Sequence, residues 1–234
     1  MTSELIINAT KEESRVALLE GGQVVEFYVE RKRDASLVGN IYKGRVIKVL
    51  PGMQSAFIDI GLEKAAFLYV ADIMSDFEEY YSTFIDNELN QFDINDGGIN
   101  SIKKPLSIEE LIQEGQELLV QVSKDPIGNK GARVTSYITI PGRYLVIMPN
   151  VDHIGISRRI DDEEVRQKLK TIAMEIKPKN IGLIMRTASE DATHEEICRD
   201  LEFLLLLWEN IQKKREKYSA PALLYNDMDL IFRS

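Results

Sequence analysis

Apolar and polar positions alternate through the first part of the chain, the period of strands rather than helices. Leu5-Ile6-Ile7 is a short apolar run. Val16-Ala17-Leu18-Leu19 and Val24-Val25-Glu26-Phe27-Tyr28-Val29 flank Gly21-Gly22, the pattern of a β-hairpin. The charged run Glu30-Arg31-Lys32-Arg33-Asp34 reads as a solvated boundary rather than a nucleic-acid patch. Ile41 to Val49 alternates, and Pro51-Gly52 turns the chain. Ser55 to Gly61 and Ala65 to Val70 supply two more strands, and Glu117 to Ser123 and Gly131 to Ile138 another two. Five short strands with a long interruption after the third predict a small barrel of the OB type.

The interruption, 71–114, is rich in Asn, Asp, Glu and Ser. It is too long for an ordinary loop and reads as a mobile insertion, with one helical turn near Ser107 to Gln113. A dedicated acidic docking element is the other reading of the same residues. The period changes after residue 140. Asp161, with Glu164 at capping-box spacing, is the expected start of a helix. Val165, Leu169, Ile172 and Ile176 share its apolar face, and Pro178 ends it. Ile181 to Arg186 reads as a strand. A second helix starts near Thr193, again with a capping-box partner, Glu196, and buries Ile197, Leu201, Leu204, Leu205, Trp208 and Ile211. Lys213, Lys214 and Arg215 suit its negative C-terminal end. Leu223-Leu224-Tyr225 and Ile231-Phe232-Arg233 predict a hairpin around Asn226-Asp227. The fold class is α+β.

Composition narrows the function. Of 234 residues, 44% are apolar, enough for a core, and 29% are charged, which excludes a fibrous or wholly disordered chain. One cysteine, Cys198, excludes a disulfide framework and a Cys-rich zinc site within one chain, and it is expected to be a buried helix residue. No apolar run reaches the roughly 18 residues of a membrane span. The N-terminus lacks the pattern of a secretory signal, so the expected location is cytoplasmic. The net charge of −9 argues against a nucleic-acid partner until it is mapped. Asp72 to Glu110 holds ten acids and two lysines and so carries −8 of it. Lys124 to Arg159 holds six bases against two acids. Polyanion binding follows local potential, so an RNA-binding face remains open.

Hydrolytic chemistry finds little support in the residues themselves. Asp59, Asp191 and Asp200 have no spacing that argues for a two-metal site, and His153 and His194 have no nucleophile near them. Phe57 and Phe67 are either a platform on which bases stack or residues of the barrel core.

Gly44-Arg45-Val46, Ala56-Phe57-Ile58-Asp59-Ile60-Gly61 and Ala66-Phe67-Leu68 resemble an S1 RNA-binding domain. A longer series is more specific: Ile6-Ile7-Asn8, Asn40 to Val46, Gly128-Asn129-Lys130-Gly131-Ala132, Tyr144 to Pro149, Gly155-Ile156-Ser157-Arg158-Arg159 and Gly182 to Ala188. In this order they resemble the N-terminal part of the ribonuclease E/G family, over nearly the whole chain except 71–114. The resemblance implies an RNase H-like subdomain split between 1–35 and 215–234. It implies an S1 barrel at 36–140 and a small α/β 5′-sensor subdomain at 141–214. It implies a metal-dependent endoribonuclease of RNA decay and ribosomal RNA maturation, acting on single-stranded RNA and preferring a 5′ monophosphate.

Residue by residue, the resemblance assigns RNA contact to Phe57, Phe67 and Lys130. It assigns 5′-phosphate sensing to Arg186 and Thr187 with Gly142 and Val146; Arg158 and Arg159 match the same region, one as an RNA-backbone contact and the other as a structural residue. Ile154-Gly155 stands where the family often has two glycines, so a different local turn is expected there. The family's paired metal-binding aspartates and its zinc-sharing Cys motif lie downstream of these motifs. Catalytic magnesium, interface zinc and a homo-oligomer are therefore implied for the full-length member, and this chain is expected to be inactive alone, with no metal site. The alternatives are a stand-alone, non-catalytic RNA-binding module and an assembly module that docks through the acidic insertion.

Overall fold

A computed structural model of the chain describes residues 2–10, 12–31, 36–73, 92–93 and 107–227. Strands β1 (Ser3–Ala9), β2 (Glu13–Glu20) and β3 (Gln23–Arg31) form an antiparallel sheet. Gly21 and Gly22 stand at φ +57° and +81°, the left-handed pair that a two-residue hairpin loop of this kind needs. Glu20 pairs with Gln23 directly across it.

β4 (Ile41–Leu50), β5 (Ser55–Asp59) and β6 (Ala66–Tyr69) then make an antiparallel meander. Within the acidic interruption the elements among the described residues include β7 (Phe92–Asp93) and, near its end, the helical turn α1 (Ile108–Leu111). Ser107 and Glu110 form a capping box on α1, so the single expected turn is present. β8 (Glu117–Lys124) and β9 (Arg133–Thr135) complete the set. Hydrogen bonding runs β4-β5-β6-β9-β8 and closes through a β4–β8 pairing, with β6 and β9 parallel. This is the closed five-stranded barrel that the strand spacing predicts, consistent with an OB-like fold. Its core is filled by inward residues such as Val46, Ala56, Ile58, Leu68, Val120, Val122 and Val134, with Ile108 and Ile112 packed against them.

The second unit contains β10 (Ile140–Pro141), β11 (Leu145–Pro149), β12 (Ile154–Ser157), α2 (Glu163–Ile176), β13 (Ile181–Met185), α3 (His194–Lys217) and β14 (Ala222–Tyr225). Its sheet has the order β10-β11-β13-β12-β7. β12 and β13 are parallel and joined through α2, the crossover that parallel strands require. Leu145, Ile147, Leu183 and Met185 of the sheet share one core with Leu169 and Ile172 of α2 and with Ile197, Leu201 and Leu204 of α3.

Details differ from the sequence expectations. The cap of α2 is Asp162, not Asp161; its carboxylate accepts from the N–H groups of Glu164 and Val165 at 2.8 and 3.2 Å. Thr193 and Glu196 cap α3 as expected. Ile154 and Gly155 are ordinary strand residues of β12 rather than a turn. Cys198 is half-buried, because it lies at the edge of the apolar face of α3. The expected terminal hairpin has only its first strand described; its partner lies outside the described residues. That first strand, β14, pairs antiparallel with β4.

An ionic seam locks this tail to the barrel. Glu117 of β8 accepts from Lys43 and Arg45 of β4, each at 3.0 Å. Lys43 also donates to the carbonyls of Arg215 and Tyr218, and Arg45 to that of Ala220. Hydrogen bonds from Arg45, then from Lys43, hold the Glu117 carboxyl down at about 2 against an ordinary 4.5. A depressed carboxyl contributes stability that is present above 4.5 and is lost as the pH falls through about 2. Thermal melts of wild type and Glu117→Gln are therefore expected to differ at pH 5 and to converge between pH 4.5 and 2. A difference that persists unchanged at pH 2 would show that the charge on Glu117 is not what the seam uses.

Candidate nucleic-acid interface

Alternation along β5 and β6 settles where the two phenylalanines point. Ala56, Ile58, Ala66 and Leu68 are buried in the barrel, so Phe57 and Phe67 face outward. They are opposed across the strands, with ring centroids 6.3 Å apart and planes at 69°, an edge-to-face pair. Phe57 keeps 36% of its surface exposed. The core alternative for these two residues is therefore not what the structure shows.

The row extends on both sides. Lys48 of β4 is registered with Phe57, and Arg133 of β9 with Phe67. Residues opposed in register share a face, so the order across four strands is cation, aromatic, aromatic, cation. Arg133 is held in place by Asp72, at 2.9 Å from its Nε and 2.8 Å from its Nη2. Tyr69, two residues beyond Phe67 on the same face, is also exposed. Lys130 is exposed in the tight turn Ile127–Lys130, where its N–H donates to the Ile127 carbonyl at 3.0 Å. The turn leads into the stretch whose Ala132 carbonyl accepts from the Phe67 N–H at 2.8 Å.

The second candidate surface lies at one end of the α/β sheet. β13 ends at Met185, and Arg186 and Thr187 follow as the chain enters a single 3-10 turn, Thr187–Ser189. Arg186 is exposed and Thr187 half-buried. The parallel register of β12 and β13 delivers Arg158 and Arg159, both exposed, at the same end of the sheet. β11 runs the other way, so its leading segment Gly142-Arg143-Tyr144 is there too. Arg186 is tied to that segment twice: its N–H donates to the Tyr144 carbonyl at 2.9 Å, and its Nη1 donates to the Gly142 carbonyl. Val146 is buried in mid-strand, opposite Ile184, and supports this end from beneath.

Sequence reasoning passed over four residues here. Arg143 is exposed, with its guanidinium 5.1 Å from the centre of the Tyr144 ring. Tyr144 in turn donates to Glu196 at 3.3 Å. Lys48 and Arg133 were legible only through cross-strand register. Asp200 had been weighed only as a metal ligand; instead its carboxylate accepts from the N–H groups of Arg143, Tyr144 and Leu145 at 3.2, 2.8 and 3.1 Å.

Among the described residues no group of three or more His, Cys, Asp or Glu side chains is placed to hold a metal ion. The Cys198 sulfur lies 3.6 Å from His194 Nδ1; burial, then Glu202 and Glu175, push its thiol up, away from thiolate character. No helix among the described residues is long and apolar enough to cross a membrane.

An OB-like barrel that carries an outward aromatic row, followed by an α/β unit with arginines at one sheet end, defines the class of architecture. The comparisons with known proteins name the family. The pattern of the Ribonuclease E/G family matches residues 139–234. Ribonuclease G of Haemophilus influenzae is 47% identical over 224 residues, covering 96% of this chain and 43% of that protein. Ribonuclease G of Escherichia coli (strain K12) is 43% identical over 233 residues, covering 100% of this chain and 45% of that protein. Ribonuclease E of Buchnera aphidicola subsp. Schizaphis graminum is 37% identical over 234 residues, covering 98% of this chain and 22% of that protein. The chain belongs to the ribonuclease E/G family. It spans less than half the length of these relatives.

The outward assignment of the phenylalanines has a direct thermodynamic test. Phe57→Ala is expected to cost on the order of 1 kcal/mol, the loss of one edge-to-face pair. Ile58→Ala, which empties a fully buried site, is expected to cost about 2–5 kcal/mol. Urea or thermal unfolding that ranks them in the reverse order would return Phe57 to the core.

Proposed function

We propose that this chain is the RNA-engaging and 5′-monophosphate-sensing region of a ribonuclease E/G-type endoribonuclease that acts on single-stranded RNA in RNA decay and ribosomal RNA processing. The observation that carries the reading is the row Lys48–Phe57–Phe67–Arg133 on the outside of the barrel. Every base has an aromatic face to stack, worth about 1–3 kcal/mol per base, while flanking cations attract the phosphates. Such a surface holds single strands with little sequence preference, because nothing in it reads base edges. The chain's net charge does not oppose this. Asp72, beside the row, is paired with Arg133, and Lys48 at the other end of the row is exposed.

The 5′ end is the task of the second surface. A 5′ monophosphate carries nearly two negative charges and three acceptor oxygens. The planar guanidinium of Arg186 offers a fork of donors matched to those oxygens, and Thr187 adds a hydroxyl. One Nη1 bond to Gly142 fixes the plane of the fork and leaves its other N–H groups for the ligand. Arg158, Arg159 and Arg143, at the same end of the sheet, raise the local positive potential for the strand that follows.

The test uses one oligonucleotide carrying a 5′ monophosphate, a 5′ triphosphate or a 5′ hydroxyl. Wild type is expected to prefer the monophosphate. Arg186→Lys keeps the charge but cannot make a bidentate contact, and so is expected to lose most of the preference. Phe57→Ala and Phe67→Ala are expected to weaken binding of all three RNAs equally, by on the order of 1–3 kcal/mol. Equal wild-type affinity for all three ends would remove the sensing role. Unchanged affinity in a folded Phe57→Ala/Phe67→Ala variant would remove the stacking surface.

A further inference from the structure

Three backbone N–H groups in a row, those of Arg143, Tyr144 and Leu145, point at one carboxylate, Asp200 of α3. Arg143 uses Oδ1, and Tyr144 and Leu145 converge on Oδ2. The turn also closes on itself, since the Gly142 N–H donates to the Leu145 carbonyl at 2.8 Å. With its N–H groups so consumed, the segment's free polar edge is its carbonyls. Two of them, Gly142 and Tyr144, accept from Arg186. The chain of contacts is therefore Asp200 to the 143–145 backbone, and that backbone to Arg186. The carboxylate lies behind the turn and Arg186 in front of it.

Gly142 fits the same arrangement. A Cβ built there would stand 2.5 and 2.6 Å from the two Asp200 carboxylate oxygens, distances that side chains do not tolerate. The absent side chain thus makes room for Asp200. The family resemblance instead puts Gly142 in the lining of the 5′-phosphate pocket, where a glycine permits close backbone approach to the ligand. The two explanations have different consequences.

We infer that Asp200 is a positioning residue of the 5′-end pocket, setting the direction of the Arg186 guanidinium through the Gly142–Leu145 turn, and that position 142 is glycine because of Asp200. The inference rests on the 5′-sensing reading of Arg186. Asp200 touches no ligand in this scheme. It replaces water as the partner of three N–H groups, so that the Gly142 carbonyl is presented in one orientation only. An arginine fork is useful to a phosphate only when its plane is fixed in advance.

The experiment measures the ratio of dissociation constants for one single-stranded oligonucleotide with a 5′ hydroxyl and with a 5′ monophosphate, together with a thermal melt for each protein. The variants are Asp200→Asn, Asp200→Ala, Gly142→Ala and Gly142→Ala/Asp200→Ala. Asparagine keeps the shape but turns one acceptor oxygen into a donor facing an N–H. Asp200→Asn is expected to lower the ratio about fivefold or more, the scale of one charge-assisted hydrogen bond lost at the clamp. Gly142→Ala is expected to lower it as well, but to add nothing in the Asp200→Ala background, where the oxygens it strikes are gone.

A folded Asp200→Asn protein with the wild-type ratio overturns the positioning role. A general loosening that lowers both affinities and leaves the ratio intact overturns it too. Equal harm from Gly142→Ala in both backgrounds assigns the glycine to the ligand and overturns the second half of the inference. Absence of any preference in wild type overturns the sensing reading, and the Asp200 role with it. Preference in wild type that Asp200→Asn retains overturns the Asp200 role alone.

Discussion

Strand β4 carries three pairings, and the rest of the molecule depends on that sharing. One edge pairs with β8 over residues 41–45 and closes the barrel. The other edge is divided: residues 45–50 take β5, and residues 41–43 take β14 from the far end of the chain. A strand rises about 3.3 Å per residue, so only a long one can serve two partners end to end on one edge. Ten residues suffice. Ile41, at the start of β4, is accordingly buried not with the barrel residues but with Leu224, Tyr225 and the core of the α/β unit. The two units are joined by continuous packing and hydrogen bonding rather than by a linker. The aromatic row and the arginine end therefore sit on one scaffold, as a single RNA strand engaging both would require.

How much of this was legible follows from what each signal can resolve. The barrel, the two long helices and the Thr193 cap were plain, because period 2, period 3.6 and the capping box are local patterns. The orientation of Phe57 was not. Ala56-Phe57-Ile58 is apolar throughout, so alternation exists but does not say which phase faces in. Packing decides it: Ala56 and Ile58 are fully buried in the small barrel interior, which leaves Phe57 on the outer face. The Asp161-to-Asp162 shift is of the same kind, since two adjacent aspartates offer equivalent caps and the position of the apolar face of α2 selects one.

Asp200 was illegible for a different reason. Its partners stand 55 to 57 residues earlier in the chain, and nothing in its helix distinguishes it from the other acids there. Gly142 showed the right physical need, close approach, but not the atom that approaches. Side-chain-to-backbone clamps across distant segments leave no periodic trace, and functional geometry is often built from them.

The same clamps explain how an acidic chain can present cationic surfaces. Glu117 is occupied by Lys43 and Arg45 at the seam, and Asp200 by three N–H groups. Burial pushes the carboxyl of Asp72 up against the opposing pull of Arg133, which also holds it by hydrogen bonds. These acids are held in structural contacts, while Lys48, Lys130, Arg143, Arg158, Arg159 and Arg186 stand exposed. Net charge counts both groups alike, but an approaching phosphate meets chiefly the second. The formal −9 describes the chain as a whole and is dominated by 72–110. What each surface offers a phosphate is set by which side chains stand exposed there, and at both candidate surfaces those include cations.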